Sequence, residues 1–289
     1  MISLLFNILF STAFTLIIKW VQSRRREDIL TVGPINYITA AVLIAPRFFS
    51  QSNDPDFAAA VCGAGMGASY FIAFFFVTYA IKEVGAAATT VVGSLSLLLP
   101  IIIAAFLWEE VPNLAQGWGV AFAVAALIMI GTGRRAKQPD SDLESDKKRW
   151  VIPVVLGTFF VLAGSNRLLQ RTLDHVSSKD QLPTFLFAAF VTAAIPSIVM
   201  LIQRRRRISV KEIGFGTAMG ASNILQSHFI LKALTSFEGY IVFPVSSSGG
   251  LMLTTFLATG IFREQIGRRT WTGIGIAVVA LVLLNWVGD

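Results

Sequence analysis

Residues 85–131 read GAAATTVVGSLSLLLPIIIAAFLWEEVPNLAQGWGVAFAVAALIMIG. An apolar run leads to a short acidic turn at Glu109 and Glu110, and a second apolar run follows. The pattern returns 154 residues later. Gly85 matches Gly239, Val91 matches Val245, Ser94 matches Ser248, and Leu97 matches Leu251. Glu110 matches Glu264, Gly119 matches Gly273, and Ala123, Val124, Ala126 and Leu127 match Ala277, Val278, Ala280 and Leu281. Just upstream, Met66-Gly67-Ala68-Ser69 recurs as Met219-Gly220-Ala221-Ser222 at a shift of 153. The chain is a duplication, and that decides how the rest is read.

Of the 289 residues, 54% are hydrophobic and 14% charged, and the mean hydropathy is +0.68. A soluble domain of this composition would lack a polar coat. The 23 Phe and 23 Gly fit a membrane protein, because Gly lets helices approach closely in lipid. The net charge of +7 comes from basic residues in short loops between apolar spans, where they anchor and orient the protein. That use of charge argues against a nucleic-acid partner. Cys62 is the sole cysteine and lies inside a span, which leaves no intramolecular disulfide and no metal-ligand spacing. The N-terminus has no basic region followed by a small-residue cleavage site, so it reads as a retained span.

A helix needs about 20 mostly apolar residues to cross a bilayer. Ten such spans are expected, at 2–20, 31–50, 57–81, 84–108, 114–133, 150–172, 182–202, 210–235, 239–262 and 270–287. A polar linker at 134–149 separates a first five-span repeat, 1–133, from a second, 150–289. Five is odd, so the second copy crosses in the opposite sense. The expected fold is an all-α membrane protein with ten transmembrane helices in two inverted five-helix repeats, a transporter architecture. Lys and Arg fall unevenly between the two sides, with 19 of 24 in loops 1–2, 3–4, 5–6, 7–8 and 9–10. The positive-inside rule puts that side in the cytoplasm and both termini outside.

The acidic turns carry a resemblance. Glu110 is followed by Gln116 and Gly119, and Glu264 by Thr270 and Gly273. Pro100 lies ten residues before Glu110, and the first span carries Phe10-Ser11-Thr12 and Lys19. These features resemble the drug/metabolite transporter superfamily, in its ten-helix EamA-like branch. There are departures: Glu109 and Arg263 replace the Gly that precedes each acidic residue, and Thr254 stands where Pro100 would map. The family's orientation, with both termini in the cytoplasm, is the reverse of the charge bias. The resemblance implies a carrier of small metabolites, amino acids, sugars or drugs, in a bacterial inner or plasma membrane.

Site residues are sought among mid-span polar groups, which in lipid tend to face a bundle interior or a watery cavity. The substrate-binding set is Asn7, Ser11, Tyr70, Ser94, Asn166, Asn223, Gln226 and Ser248. For a lone Ser or Thr the ordinary alternative is helix packing. Asn and Gln carry more hydrogen-bonding groups to satisfy. Tyr70 aligns with Asn223 and Ala73 with Gln226, so the two copies offer different groups to a shared cavity. Glu110 and Glu264 read as helix-boundary residues that cap the next helix. His228 is the coupling candidate, because it is the mid-span group that titrates near neutral pH. A charged His228 would meet Lys232 one turn along the same face, so a neutral ring is expected.

The function expected is secondary transport of a small polar organic solute, with lipid and substrate as partners. No cofactor or metal is required, and a monomer is sufficient. The alternatives are a membrane-embedded enzyme and a non-transporting scaffold or sensor. Enzyme chemistry usually needs a clustered acid, base, nucleophile or metal, whereas this chain has two His, one Cys and no mid-span carboxylate.

Overall fold

In lipid, backbone hydrogen bonds must close within the chain, and helices do this residue by residue. The computed structural model describes residues 2–24, 27–99, 103, 114–131, 142–176, 179–236, 239–263 and 267–284. Among these there are ten α-helices and no strand. They are α1 Ile2–Ser23, α2 Ile29–Phe49, α3 Phe57–Val84, α4 Ala86–Leu95, α5 Leu114–Gly131, α6 Asp142–Val176, α7 Leu182–Arg204, α8 Val210–Leu234, α9 Gly239–Phe262 and α10 Arg268–Leu284. Six are long and apolar enough to cross a membrane: α1, α2, α3, α7, the Trp150–Gln170 part of α6 and the Val245–Phe262 part of α9.

Two boundaries differ from the sequence reading. The polar segment 134–149 was expected as linker, yet α6 already begins at Asp142. Glu, Asp, Lys and Leu are compatible with helix, and a helix nucleated in the apolar span extends backwards through them. The expected span 84–108 begins as α4, Ala86–Leu95, and its residues 100–102 and 104–108 lie outside the described residues. Gly85 separates α3 from α4 at φ 96, a conformation that side-chain-bearing residues rarely adopt.

The compact units of the chain do not follow its two copies. One unit takes Met1–Phe75 and Ser165–Glu238, and the other Phe76–Gly164 and Gly239–Asp289. The first therefore holds the first three helices of each copy, apart from the end of α3 and the beginning of α6. The second holds the last two of each, with the remaining parts of α3 and α6.

In the first unit, α8 packs on α1 and α2, and α2 also packs on α7. Glycine pairs set the closest approaches. A Cβ on Gly216 would lie 2.5 Å from Ile35 Cβ, and one on Gly220 would lie 2.5 Å from Asn36 O. A Cβ on Gly63 or Gly67 of α3 would overlap the carbonyl oxygens of Phe185 and Ala189 on α7. Both pairs have the small-xxx-small spacing that lets helix backbones touch in lipid. The shift of 153 relates every partner: Gly63 to Gly216, Gly67 to Gly220, and Asn36 to Ala189.

The ends of α2 and α7 are tied to one another. Arg204, the last residue of α7, donates from Nη1 to Asp28 Oδ2, and Asp28 is the N-cap of α2. At the far end, Gln51 Nε2 donates to Thr184 Oγ1, 3.1 Å away in the first turn of α7. The two helices therefore run antiparallel. Gln51 and Arg204 are again 153 apart, as are Asp28 and Gln181, and Thr31 and Thr184.

In the second unit, α5 packs on α10 and α4 on α9. Ala123 and Ala126 meet Ala277 and Ala280 in one core with Ala88, Val91, Leu95 and Leu251. Small side chains on both faces let these equivalent helices lie close. Elsewhere large apolar residues remain exposed, among them Leu5 and Leu9 on α1, Val42 and Leu43 on α2, and Ile195 and Ile202 on α7. On helices of this length these are faces for acyl chains.

Candidate functional site

Helix α2 carries Asn36 in the middle of an apolar sequence, and the residue is fully buried. An amide there must find partners, and α8 supplies them. Asn223 Nδ2 donates to Asn36 Oδ1 at 3.1 Å, and Gln226 Nε2 donates to Asn223 Oδ1 at 3.1 Å. Asn223 and Gln226 are three residues apart, one turn on the same helix face. From α1, Asn7 Nδ2 donates to the backbone carbonyl of Gln226 at 2.8 Å. One polar chain thus joins α1, α2 and α8. The close approach of Gly220 to Asn36 O is what allows it.

A second set of contacts leads to α3. Tyr37, next to Asn36 and itself buried, donates from its hydroxyl to Tyr70 O at 2.7 Å. The Tyr70 hydroxyl lies 3.5 Å from Ser227 Oγ on α8, and its ring lies against Phe190 with centroids 6.1 Å apart. From α6, Gln170 Nε2 donates to Met66 Sδ of α3 at 3.7 Å, one turn before Tyr70.

The structure brings together Asn7, Asn223 and Gln226 directly, with Tyr70 joined through Tyr37 and Ser227. Asn166 belongs to the same unit and is buried, with its Oδ1 unpartnered. Ser11 lies in this unit too, and its Oγ donates to Ile8 O of its own helix at 3.1 Å. His228 is half-buried, with its ring edge-on to Phe229 at 5.5 Å. Phe229 in turn stacks on Phe6 and Phe10 of α1 at 5.0 and 6.0 Å. Ser94 belongs to the second unit, where it donates to Ser247 O at 3.2 Å and ties α4 to α9. The side chain of Ser248 is outside the described residues, as are Glu110 and Glu264.

Sequence reasoning missed Asn36 and Tyr37. Their signal was present: an Asn-Tyr pair inside the apolar span of α2, the same criterion that selected Asn7 and Asn223.

One end of this unit is charged. Ser209 N-caps α8 in a capping box with Glu212: Glu212 N donates to Ser209 Oγ at 3.2 Å and Ser209 N to Glu212 Oε2 at 2.9 Å. Glu212 Oε1 also accepts from Asp28 N and Arg206 Nη2, both at 2.9 Å. Arg206 lies 3.3 Å from Asp28 Oδ2 as well. The fully buried Glu212 carboxylate is thereby surrounded by donors, which is how a buried charge is tolerated.

Comparison with known proteins agrees with this architecture. A protein of Haemophilus influenzae described as uncharacterized is 26% identical over 302 residues, covering 99% of this chain and 98% of that one. A crystal structure of a protein at 14% identity superposes with a TM-score of 0.64, over 98% of this chain and 94% of the other, and shares the fold. Residues 1–132 match the EamA-like transporter family. Over that stretch the chain is similar to the EamA-like transporter family, within the drug/metabolite transporter superfamily, and the ten helices among the described residues are consistent with it.

Proposed function

We propose that the protein is a secondary transporter of a small polar organic solute, working by alternating access. The observation that carries this is the buried polar chain Asn7–Gln226–Asn223–Asn36, which draws α1 and α2 from one copy and α8 from the other. Buried amides inside apolar spans are costly unless they serve a pathway or a specific packing. The antiparallel pairing of α2 with α7 at a constant shift of 153 supports two inverted repeats, the arrangement in which each half lines one side of a central site. The 19 basic residues on one side support a cytoplasmic location for that side in a cell membrane. A monomer contains all the groups invoked.

Transport is driven by the solute's own gradient, because His228 sits against aromatic rings beside Lys232 on its helix and is better suited to a neutral state. The test is uptake and counterflow in proteoliposomes with amino acids, organic acids, sugars, nucleosides and cationic drugs. Flux of at least one solute is expected. It should be unchanged by an imposed pH gradient at clamped voltage. Absence of flux for every solute would remove the transporter reading in favour of an enzyme or scaffold. Accumulation that follows the proton gradient and disappears in His228→Ala would make His228 the proton carrier.

A further inference from the structure

We infer that the charged end of the first unit holds the headgroup of an anionic phospholipid, between the end of α1 and the first turns of α8. Basic residues are dense there: Lys19 and Arg24 at the end of α1, Arg204 to Arg207 at the end of α7, and Lys211 in the first turn of α8. The described carboxylates of this end are Glu27, Asp28 and Glu212, so cations outnumber them. Asp28 and Glu212 take Arg204 and Arg206 as ion-pair partners. Those pairs leave out Arg205, Arg207 and Lys211, and all three are exposed. This end therefore carries surplus positive charge at its surface.

Part of that surplus is gathered on one face. The Arg24 guanidinium lies over the Trp20 ring at 5.2 Å and over the Phe215 ring of α8 at 6.0 Å. Lys211 stands one turn before Phe215 on the same face of α8. Two cations from different helices thus flank one aromatic surface. They repel each other unless an anion lies between them. A phosphodiester can accept from the Arg fork and from the Lys ammonium together. A zwitterionic headgroup would bring a cation of its own into the same patch.

Apolar side chains beside the cations select a lipid over a free anion. Trp20, Ile208, Val210 and Ile213 are all exposed here. A soluble phosphate has no contact to make with them, whereas acyl chains do. A Cβ on Gly214 would meet nothing within 4 Å, so the surface of α8 between Lys211 and the bilayer-facing part of the helix is open. Trp and basic residues at the end of an apolar helix mark the headgroup level of a bilayer. Clustered Lys and Arg just beyond a span attract anionic lipids.

The test is equilibrium binding and thermal stabilisation of the purified full chain in a neutral detergent, with dioctanoyl phosphatidylglycerol, dioctanoyl phosphatidylcholine and glycerol phosphate as probes. Phosphatidylglycerol should bind about tenfold or more tightly than either of the others, and its advantage should shrink as salt is raised. The preference should be lost when Arg207→Gln and Lys211→Gln are combined, and in Arg24→Gln. It should be kept in Arg47→Gln, an exposed cation at the other end of α2. Equal binding of the two lipids would overturn the proposal. So would glycerol phosphate binding as tightly as phosphatidylglycerol, which would mark a site for a free anion. An undiminished preference in the combined variant would put the lipid elsewhere and overturn it too. The wild-type comparison decides even if a variant does not fold. None of these substitutions touches Asn7, Asn36, Asn223 or Gln226, so the outcome is independent of whether the chain transports a solute.

Discussion

The α2–α8 and α3–α7 interfaces of the first unit share one backbone plan and are filled differently. In each, two glycines four residues apart press against the partner's backbone: Gly216 and Gly220 on α2, Gly63 and Gly67 on α7. Around that common contact, the first interface places Asn36, Asn223 and Gln226. The equivalent positions in the second are Ala189, Tyr70 and Ala73, with Tyr70 against Phe190. Duplication kept the small residues that fix how closely helices approach, and divergence redistributed the hydrogen-bonding groups. The hydrogen-bonding groups at equivalent positions of the two copies are thereby asymmetric.

The two ends of α2 and α7 differ in the same way. At one end Asp28, Arg204, Arg206 and Glu212 form a charged cluster. At the other, neutral groups take the equivalent places. Thr184 Oγ1 donates to Gln181 Oε1 at 2.8 Å, Gln51 bonds Thr184, and Gln181 holds Asp54 O and Asp56 N at 3.0 Å. At the charged end the acidic partners on neighbouring elements hold Arg204 and Arg206 in place. The opposite end needs only capping, which neutral side chains supply.

The largest effect is expected where the shared plan itself is broken. Gly67→Ala puts a methyl group into the Ala189 carbonyl, and backbone cannot yield as a side-chain tip can. Overpacking of this kind costs about 1–3 kcal/mol, occasionally more. The thermal midpoint in detergent should fall for Gly67→Ala and, by a comparable amount, for Gly220→Ala, whereas Gly117→Ala, with open space around it, should leave it unchanged. Equal midpoints in all three would show that the two interfaces are not sites of close contact.

The charged end should be the more sensitive of the two. Glu212→Gln removes a buried carboxylate that accepts from Arg206 and two backbone amides, and hydrogen bonds to charged groups contribute roughly 1.5–3 kcal/mol each. Gln181→Ala at the neutral end removes hydrogen bonds between uncharged groups, each worth about 1 kcal/mol, and should cost less. Thermal scans of the two variants give the ranking, and the reverse order would remove the distinction between the ends.

A smaller and more local effect is expected from Asn223→Ala. It leaves Asn36 Oδ1 and Gln226 Nε2 without their partner and should weaken solute binding by about 1–3 kcal/mol with the protein still folded. Unchanged affinity would reduce the polar chain to packing. Least disruptive is Arg205→Cys on a Cys62-free background, at the exposed C-cap of α7. An impermeant thiol reagent should label it in inverted vesicles and not in intact cells. Labelling in intact cells would assign the charged end to the outside and both termini to the cytoplasm.

Composition and apolar run length were enough to determine an all-helical membrane protein, and the described residues hold ten helices. Those properties follow from length and local chemistry: a span needs a minimum number of apolar residues, and a repeat is visible as identity at a fixed shift. The sequence also named Asn7, Asn223 and Gln226, because an amide in an apolar helix is conspicuous wherever it points. It could not say that Asn36 completes their chain or that Ser11 turns back onto its own helix. It divided the chain at its polar linker, whereas the compact units interleave the copies, with α1 and α2 packing on α8, α2 on α7, α4 on α9 and α5 on α10. Such pairings depend on which helix faces meet, and in lipid, where acyl chains are as apolar as leucine, glycine-sized gaps and buried hydrogen bonds between distant segments decide them.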